Sequence, residues 1–251
     1  CRHRKMTEWT TRNILEWQDS LTAYFVTFTY MDEELPLYDV ATRRPSLHYR
    51  DMTLFWKRFR KYQKKTELVN SKGEKKPLRY FYVGEYGSKD QRPHYHAIIY
   101  NIDWDHAEHI MKYWKHGIVD YKPLESEAAI TYTAKYAFKN PEDSEMEFKS
   151  RPYMSSQLGL KKALEAGRVE NGLIDMGTHK VPIPHSWIKH FYSEDHWNDI
   201  RIEMDEKSFL DNWREEVKME KEKPKSYPTA QLYMKHIQVE KSKTRYKNGI
   251  K

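Results

Sequence analysis

The sequence lacks what would place it in an oxidising compartment or across a membrane. Of its 251 residues only Cys1 is a cysteine, so the chain cannot hold an internal disulfide and gives no sign of a secreted, disulfide-stapled framework. No run approaches the roughly 18 apolar residues that a membrane-spanning helix needs, and the opening "CRHRKMTEW" has no apolar stretch of the kind a signal peptide carries. No internal repeat is present. The expectation is a soluble, intracellular protein with no membrane partner. A start on Cys rather than Met leaves room for residues upstream, metal-binding cysteines among them.

Positive charge and aromatic rings are plentiful. Lysine and arginine total 44 against 37 acids, a net charge of +7, and aromatics reach 14% with 19 tyrosines and 8 tryptophans. Phosphates need cations and unstacked bases need flat faces, so this balance suits a nucleic-acid partner. Net charge alone fits a surface of solvated lysines equally well. The length allows one main domain with a sizeable core.

Hydrophobic spacing predicts a helix carrying Trp9, Ile14, Trp17 and Leu21, capped at Thr7, then a strand in "AYFVTFTYMD". An amphipathic helix capped at Asp51 follows, with Leu54, Phe55 and Phe59 inward. "LRYFYVGEY" and "PHYHAIIY" form two strands joined by the short loop "GSKDQRP", a hairpin. A helix with Trp104, Ala107, Met111 and Trp114 on one stripe leads to a short strand "IVDYKP", and "SEAAITYTAKYAFKN" reads as a helix capped at Ser126. Beyond residue 142 the pattern weakens. A charged helix is expected over 204–223 and a basic tail beyond Pro228, with six Lys and Arg against Glu240.

Two histidines open the second hairpin strand. Strand side chains alternate faces, so His94, His96, Ile98 and Tyr100 share one side. The pair suits a metal ion, and it equally suits two half-exposed histidines bonded to neighbours. Glu85, near the turn on the partner strand, is placed to complete a site of two imidazoles and one carboxylate. In "YTAKYAFK" the helical wheel gathers Tyr132, Lys135, Tyr136 and Lys139 on one stripe, with Ile130, Ala134, Ala137 and Phe138 opposite. That stripe reads as a reactive face, or as tyrosines covering a sheet beside snorkelling lysines.

Taken in order, "FVTFTY", "GEYGSKDQRPHYHAIIYN" and "YTAKYAFK" resemble the replication initiation proteins of small single-stranded DNA phages of the Microviridae, gokushovirus-type, in the HUH endonuclease superfamily. The resemblance spans roughly residues 1–190 and extends to Trp9, Arg12 and Glu16 in the first helix. It implies that His94 and His96 bind a divalent metal, with Glu85 as third ligand. It also implies that Tyr-x-x-Lys-Tyr-x-x-Lys, met by Tyr132, Lys135, Tyr136 and Lys139, carries the catalytic tyrosines. The segments "SRPYMSSQLG" and "PIPHSW" depart from the family pattern.

The implied fold is α+β: a central antiparallel β-sheet with packed helices over 1–190, followed by a charged helical extension over 191–251. The implied activity is metal-dependent nicking and rejoining of single-stranded origin DNA through a 5′-phosphotyrosyl intermediate, initiating rolling-circle replication. Imidazoles alone favour zinc or a late transition metal, while the carboxylate and phosphate chemistry favour Mg²⁺ or Mn²⁺, and the resemblance implies the latter two. Arg92 and Arg151 are expected to contact DNA. A host replication helicase or polymerase is a further partner consistent with such a role, in the cytoplasm of the bacterial host. A water-using metal nuclease and a non-enzymatic single-strand binding protein are the alternatives.

Overall fold

A computed structural model describes residues 2–39, 44–65, 67–87, 90–136, 148–167 and 169–204. In chain order these form α1 (Arg2–Asp19), β1 (Ala23–Thr29), a small ribbon of β2 (Leu37–Asp39) and β3 (Arg44–Pro45), α2 (Tyr49–Gln63), and a second ribbon of β4 (Leu68–Val69) and β5 (Lys75–Lys76). The hairpin of β6 (Arg79–Tyr86) and β7 (Pro93–Tyr100) follows, then α3 (Trp104–Ala107), α4 (His109–Tyr113), β8 (Val119–Pro123) and α5 (Glu127–Tyr136). After these come β9 (Pro152–Met154), α6 (Leu160–Ala166), a three-stranded sheet of β10 (Val169–Glu170), β11 (Leu173–Asp175) and β12 (Lys180–Pro182), and α7 (Ile188–Phe191). The chain divides into two compact units, Cys1–Phe191 and Tyr192–Lys251. Of the second, residues 194–204 are helical. The basic tail and all but the first residue of the helix expected over 204–223 lie outside the described residues.

The fold is α+β around a five-stranded sheet ordered β8-β1-β7-β6-β9, with every neighbouring pair antiparallel. β7 is its middle strand, and β9, not foreseen as a strand, is one edge. The two faces bury different elements. On one, Phe28, Tyr82, Tyr95, Ala97 and Ile99 join Met52, Phe55, Trp56 and Phe59 of α2 and Ile110 and Trp114 of the α4 region. On the other, Phe81, Ile98 and Tyr100 meet Ile14 of α1, Ile130 of α5 and Leu158. No helix among the described residues is long and apolar enough to cross a membrane.

Several local expectations shift. α1 begins at Arg2 rather than Thr7, and Leu21 lies beyond its end and is exposed. α2 starts at Tyr49, so Asp51 sits in its first turn, where the carboxylate accepts from Tyr30 Oη at 2.9 Å and lies 3.0 Å from His48 Nδ1. The helix spacing predicted through Met111 breaks into α3 and α4, and Ala107, Ile110 and Trp114 are buried while Met111 is exposed. The residues of α1 that carried the resemblance hold elements together. Glu16 receives Arg79 Nε at 3.0 Å and the Gly159 amide at 2.7 Å, and Arg12 lies over the Trp187 ring and bonds Ser186. Gly159 has φ +78° and a Cβ there would collide with the Arg12 carbonyl oxygen, so the approach of α6 to α1 requires glycine.

Candidate metal centre and tyrosine helix

Sheet register builds the site. Glu85 pairs with His94 across the β6–β7 ladder, and β1 sets Thr29 opposite His94 and Thr27 opposite His96. Because facing residues in a ladder share a side, Glu85, His94, His96, Thr27 and Thr29 all project toward the face covered by α1 and α5. Glu85 Oε2 lies 3.1 Å from His96 Nε2 and 3.3 Å from His94 Nε2. One ligand atom from each of the three falls within 4.8 Å of the others, the single such His/Cys/Asp/Glu cluster among the described residues. Glu85 and His96 are buried and His94 is partly open to solvent.

The donor chemistry fits a divalent cation. His94 Nδ1 lies 3.1 Å from the carbonyl oxygen of Arg92. A carbonyl can only accept, so Nδ1 carries a proton and the neutral ring turns the Nε2 lone pair toward the Glu85 carboxylate. Two acceptors facing each other in a buried setting call for a positive centre between them, which a metal ion held by Glu85, His94 and His96 supplies.

α5 lies against β6, β7 and α1, and brings the tyrosines to this cluster. The Tyr136 ring stacks on the His96 imidazole with centroids 4.0 Å apart and planes at 21°, while Phe25 stacks on His96 at 5.6 Å. Tyr132 meets Tyr136 edge-on at 4.7 Å. The expected uniform reactive face is therefore split. Tyr136 is 6% exposed and Tyr132 54% exposed, because the stripe faces the sheet at its C-terminal end and the rim one turn earlier. Burial, first, and then the hydrogen bond and charge of Tyr132 and the charge of Glu85 raise the Tyr136 phenol well above its ordinary pKa. Lys135 is exposed on the same helix, and Lys139 lies outside the described residues.

The two arginines expected on DNA are engaged within the protein. Arg92 bonds the Tyr30 carbonyl at 2.5 Å and pairs with Asp32 at 2.6 Å. Arg151 lies over the Tyr49 and Tyr153 rings at 4.9 and 5.1 Å, and those rings belong to the α2 face of the sheet, away from the cluster. A side chain that touches the site was passed over in the sequence: Thr27 Oγ1 lies 3.2 Å from His96 Nδ1. Its signal was the alternation in "FVTFTY", which puts Thr27 and Thr29 on one face of β1.

Comparison with known proteins covers this same segment. Residues 23–141 match the family model of the replication-associated protein ORF2 type. Replication-associated protein VP4 of Bdellovibrio phage phiMH2K is 33% identical over 138 residues, 49% of this chain and 39% of that protein. Replication-associated protein ORF2 of Spiroplasma virus 4 is 31% identical over 155 residues, 55% of this chain and 45% of its own length. The matches thus span less than half the length of these curated relatives. No solved structure matches the chain. From β1 through the tyrosine helix, the segment that holds Glu85, His94, His96, Tyr132 and Tyr136, this chain is similar to replication-associated proteins of phages.

Proposed function

We propose that the chain is a rolling-circle replication initiator of the HUH endonuclease type, from a Microviridae-like phage, which nicks and rejoins single-stranded origin DNA in the cytoplasm of the bacterial host. The observation that carries this reading is the stack of Tyr136 on His96, which sets a phenol-bearing helix beside a carboxylate–imidazole cluster. The names of the similar phage proteins agree with a role in replication.

Glu85, His94 and His96 would hold Mg²⁺ or Mn²⁺. When bound, that ion supplies positive charge to the scissile phosphate and to the leaving oxygen. The nucleophile is a phenol of α5. Its oxygen attacks phosphorus, a Tyr–O–P bond forms to the 5′ end, and the P–O3′ bond breaks to leave a 3′-hydroxyl that primes synthesis. The phosphotyrosyl ester retains the energy of the phosphodiester, so reversal rejoins DNA without ATP. Lys135 adds positive charge on the same helix, where it favours phenolate or grips a phosphate oxygen. Tyr132 and Tyr136 are one turn apart, so a second phenol remains for the regenerated origin while the first is esterified.

The test is incubation of the protein with single-stranded origin DNA of its own phage and Mn²⁺, followed by denaturing electrophoresis. A covalent protein–DNA adduct that EDTA prevents is the expected result. Cleavage without an adduct would identify a water-using nuclease, and binding without cleavage a single-strand binding protein.

A further inference from the structure

We propose that Thr27 is a positioning residue for the metal centre: its hydroxyl accepts from His96 Nδ1–H and so turns the His96 Nε2 lone pair toward Glu85. The inference rests on the metal reading above and names what orients one of its ligands.

The two imidazoles are oriented by different means. His94 is set by the main chain, through the Arg92 carbonyl oxygen that also accepts from the Gly87 amide at 3.0 Å. No side-chain substitution removes that carbonyl. The plane of His96 is fixed by aromatic stacking, with Tyr136 at 4.0 Å and Phe25 at 5.6 Å, both at 21°. Stacking holds a plane but does not tell ring nitrogen from ring carbon. A half-turn flip of the imidazole about its bond to Cβ would keep both stacks while carrying Nε2 away from Glu85 and setting a C–H in its place. The contact that distinguishes the two orientations at the inner nitrogen is Thr27 Oγ1, 3.2 Å from Nδ1. Thr27 is well fixed for this task, because β1 lies between β8 and β7 and sets it directly opposite His96. A partner on the far nitrogen commonly orients a metal-bound histidine, and its loss costs roughly 10- to 100-fold in metal affinity.

Thr27→Val keeps the shape and the strand preference while removing the hydroxyl, and Thr27→Ser keeps the hydroxyl while removing the methyl. Mn²⁺ binding to the full chain is measured by calorimetry, with urea unfolding in EDTA as the measure of the metal-free fold. The expected result for Val is an unchanged urea midpoint with Mn²⁺ affinity lower by roughly 10- to 100-fold. Ser should bind within about threefold of the wild type, since it restores the hydroxyl. Wild-type affinity in Val overturns the proposal, as does equal weakening in Val and Ser, which would trace the effect to packing. Should Val fail to fold, Thr27→Ala against Thr27→Ser decides by the same criteria. A wild-type protein that binds no Mn²⁺ overturns the metal reading itself and this inference with it. Binding abolished by His96→Ala but untouched in Val overturns the role of Thr27 alone.

Discussion

Within β7, three successive residues serve two different regions. His94 and His96 point to the face covered by α1 and α5, where Glu85 joins them, while Tyr95 points to the opposite face and is fully buried against the α2 core. The Tyr95 hydroxyl accepts from the His48 amide at 2.8 Å and lies 3.4 Å from Tyr30 Oη, so even its polar tip serves packing. Around it Phe28, Phe55 and Trp114 interlock edge to face, with Phe28–Phe55 centroids 4.8 Å apart. The pleat thus separates stability from chemistry along one strand. A substitution on one face should leave the property of the other face nearly unchanged.

The sharpest break of that comparison would come from the tyrosines. The double variant Tyr132→Phe/Tyr136→Phe should form no covalent adduct with origin DNA while unfolding at the wild-type urea concentration. Each single variant should keep some nicking but lose release of unit-length circles. An adduct in the double variant would move the nucleophile elsewhere.

On the opposite face, Phe55→Ala should cost about 3–5 kcal/mol, because a fully buried ring leaves a cavity among packed aromatics. Urea unfolding measures it, and a loss below about 1 kcal/mol would mean that the α2 face does not carry the core. Glu85→Gln keeps the shape of the carboxylate and removes its charge. Mn²⁺ affinity should fall by about tenfold or more, near 1.4 kcal/mol, with little change in metal-free stability. A large drop in stability there would show that the polar row also holds the sheet together. The smallest effect expected is for Tyr95→Phe, about 1 kcal/mol from the amide of His48 losing its acceptor. Mn²⁺ affinity should stay at the wild-type value in that variant, although its neighbours on both sides are ligand candidates.

The alternation of "HYHAIIY" made the shared direction of His94 and His96 legible before any coordinates, since a strand has a fixed period of two. The pairing of Glu85 was legible only as proximity to a turn, because a loop of that length permits more than one register. The ladder sets Glu85 opposite His94. On α5 the helical wheel grouped Tyr132 with Tyr136 but said nothing of what the helix would face. Packing on β6 and β7 buried one and exposed the other. Arg92 and Arg151 looked like free cations in the sequence, and their partners Asp32, Tyr30, Tyr49 and Tyr153 come from segments far along the chain.

The sequence by itself determined the residue chemistry and the local periods: two imidazoles on one side of a strand, two phenols one turn apart on a helix, and an aromatic α+β core. These follow from backbone geometry that holds wherever the segment lies. Tertiary structure alone decided that the carboxylate, the imidazoles and one phenol meet, and that Thr27 reaches His96 from β1. Such meetings depend on strand order and register, which are fixed by burying both faces of the sheet at once rather than by any single segment.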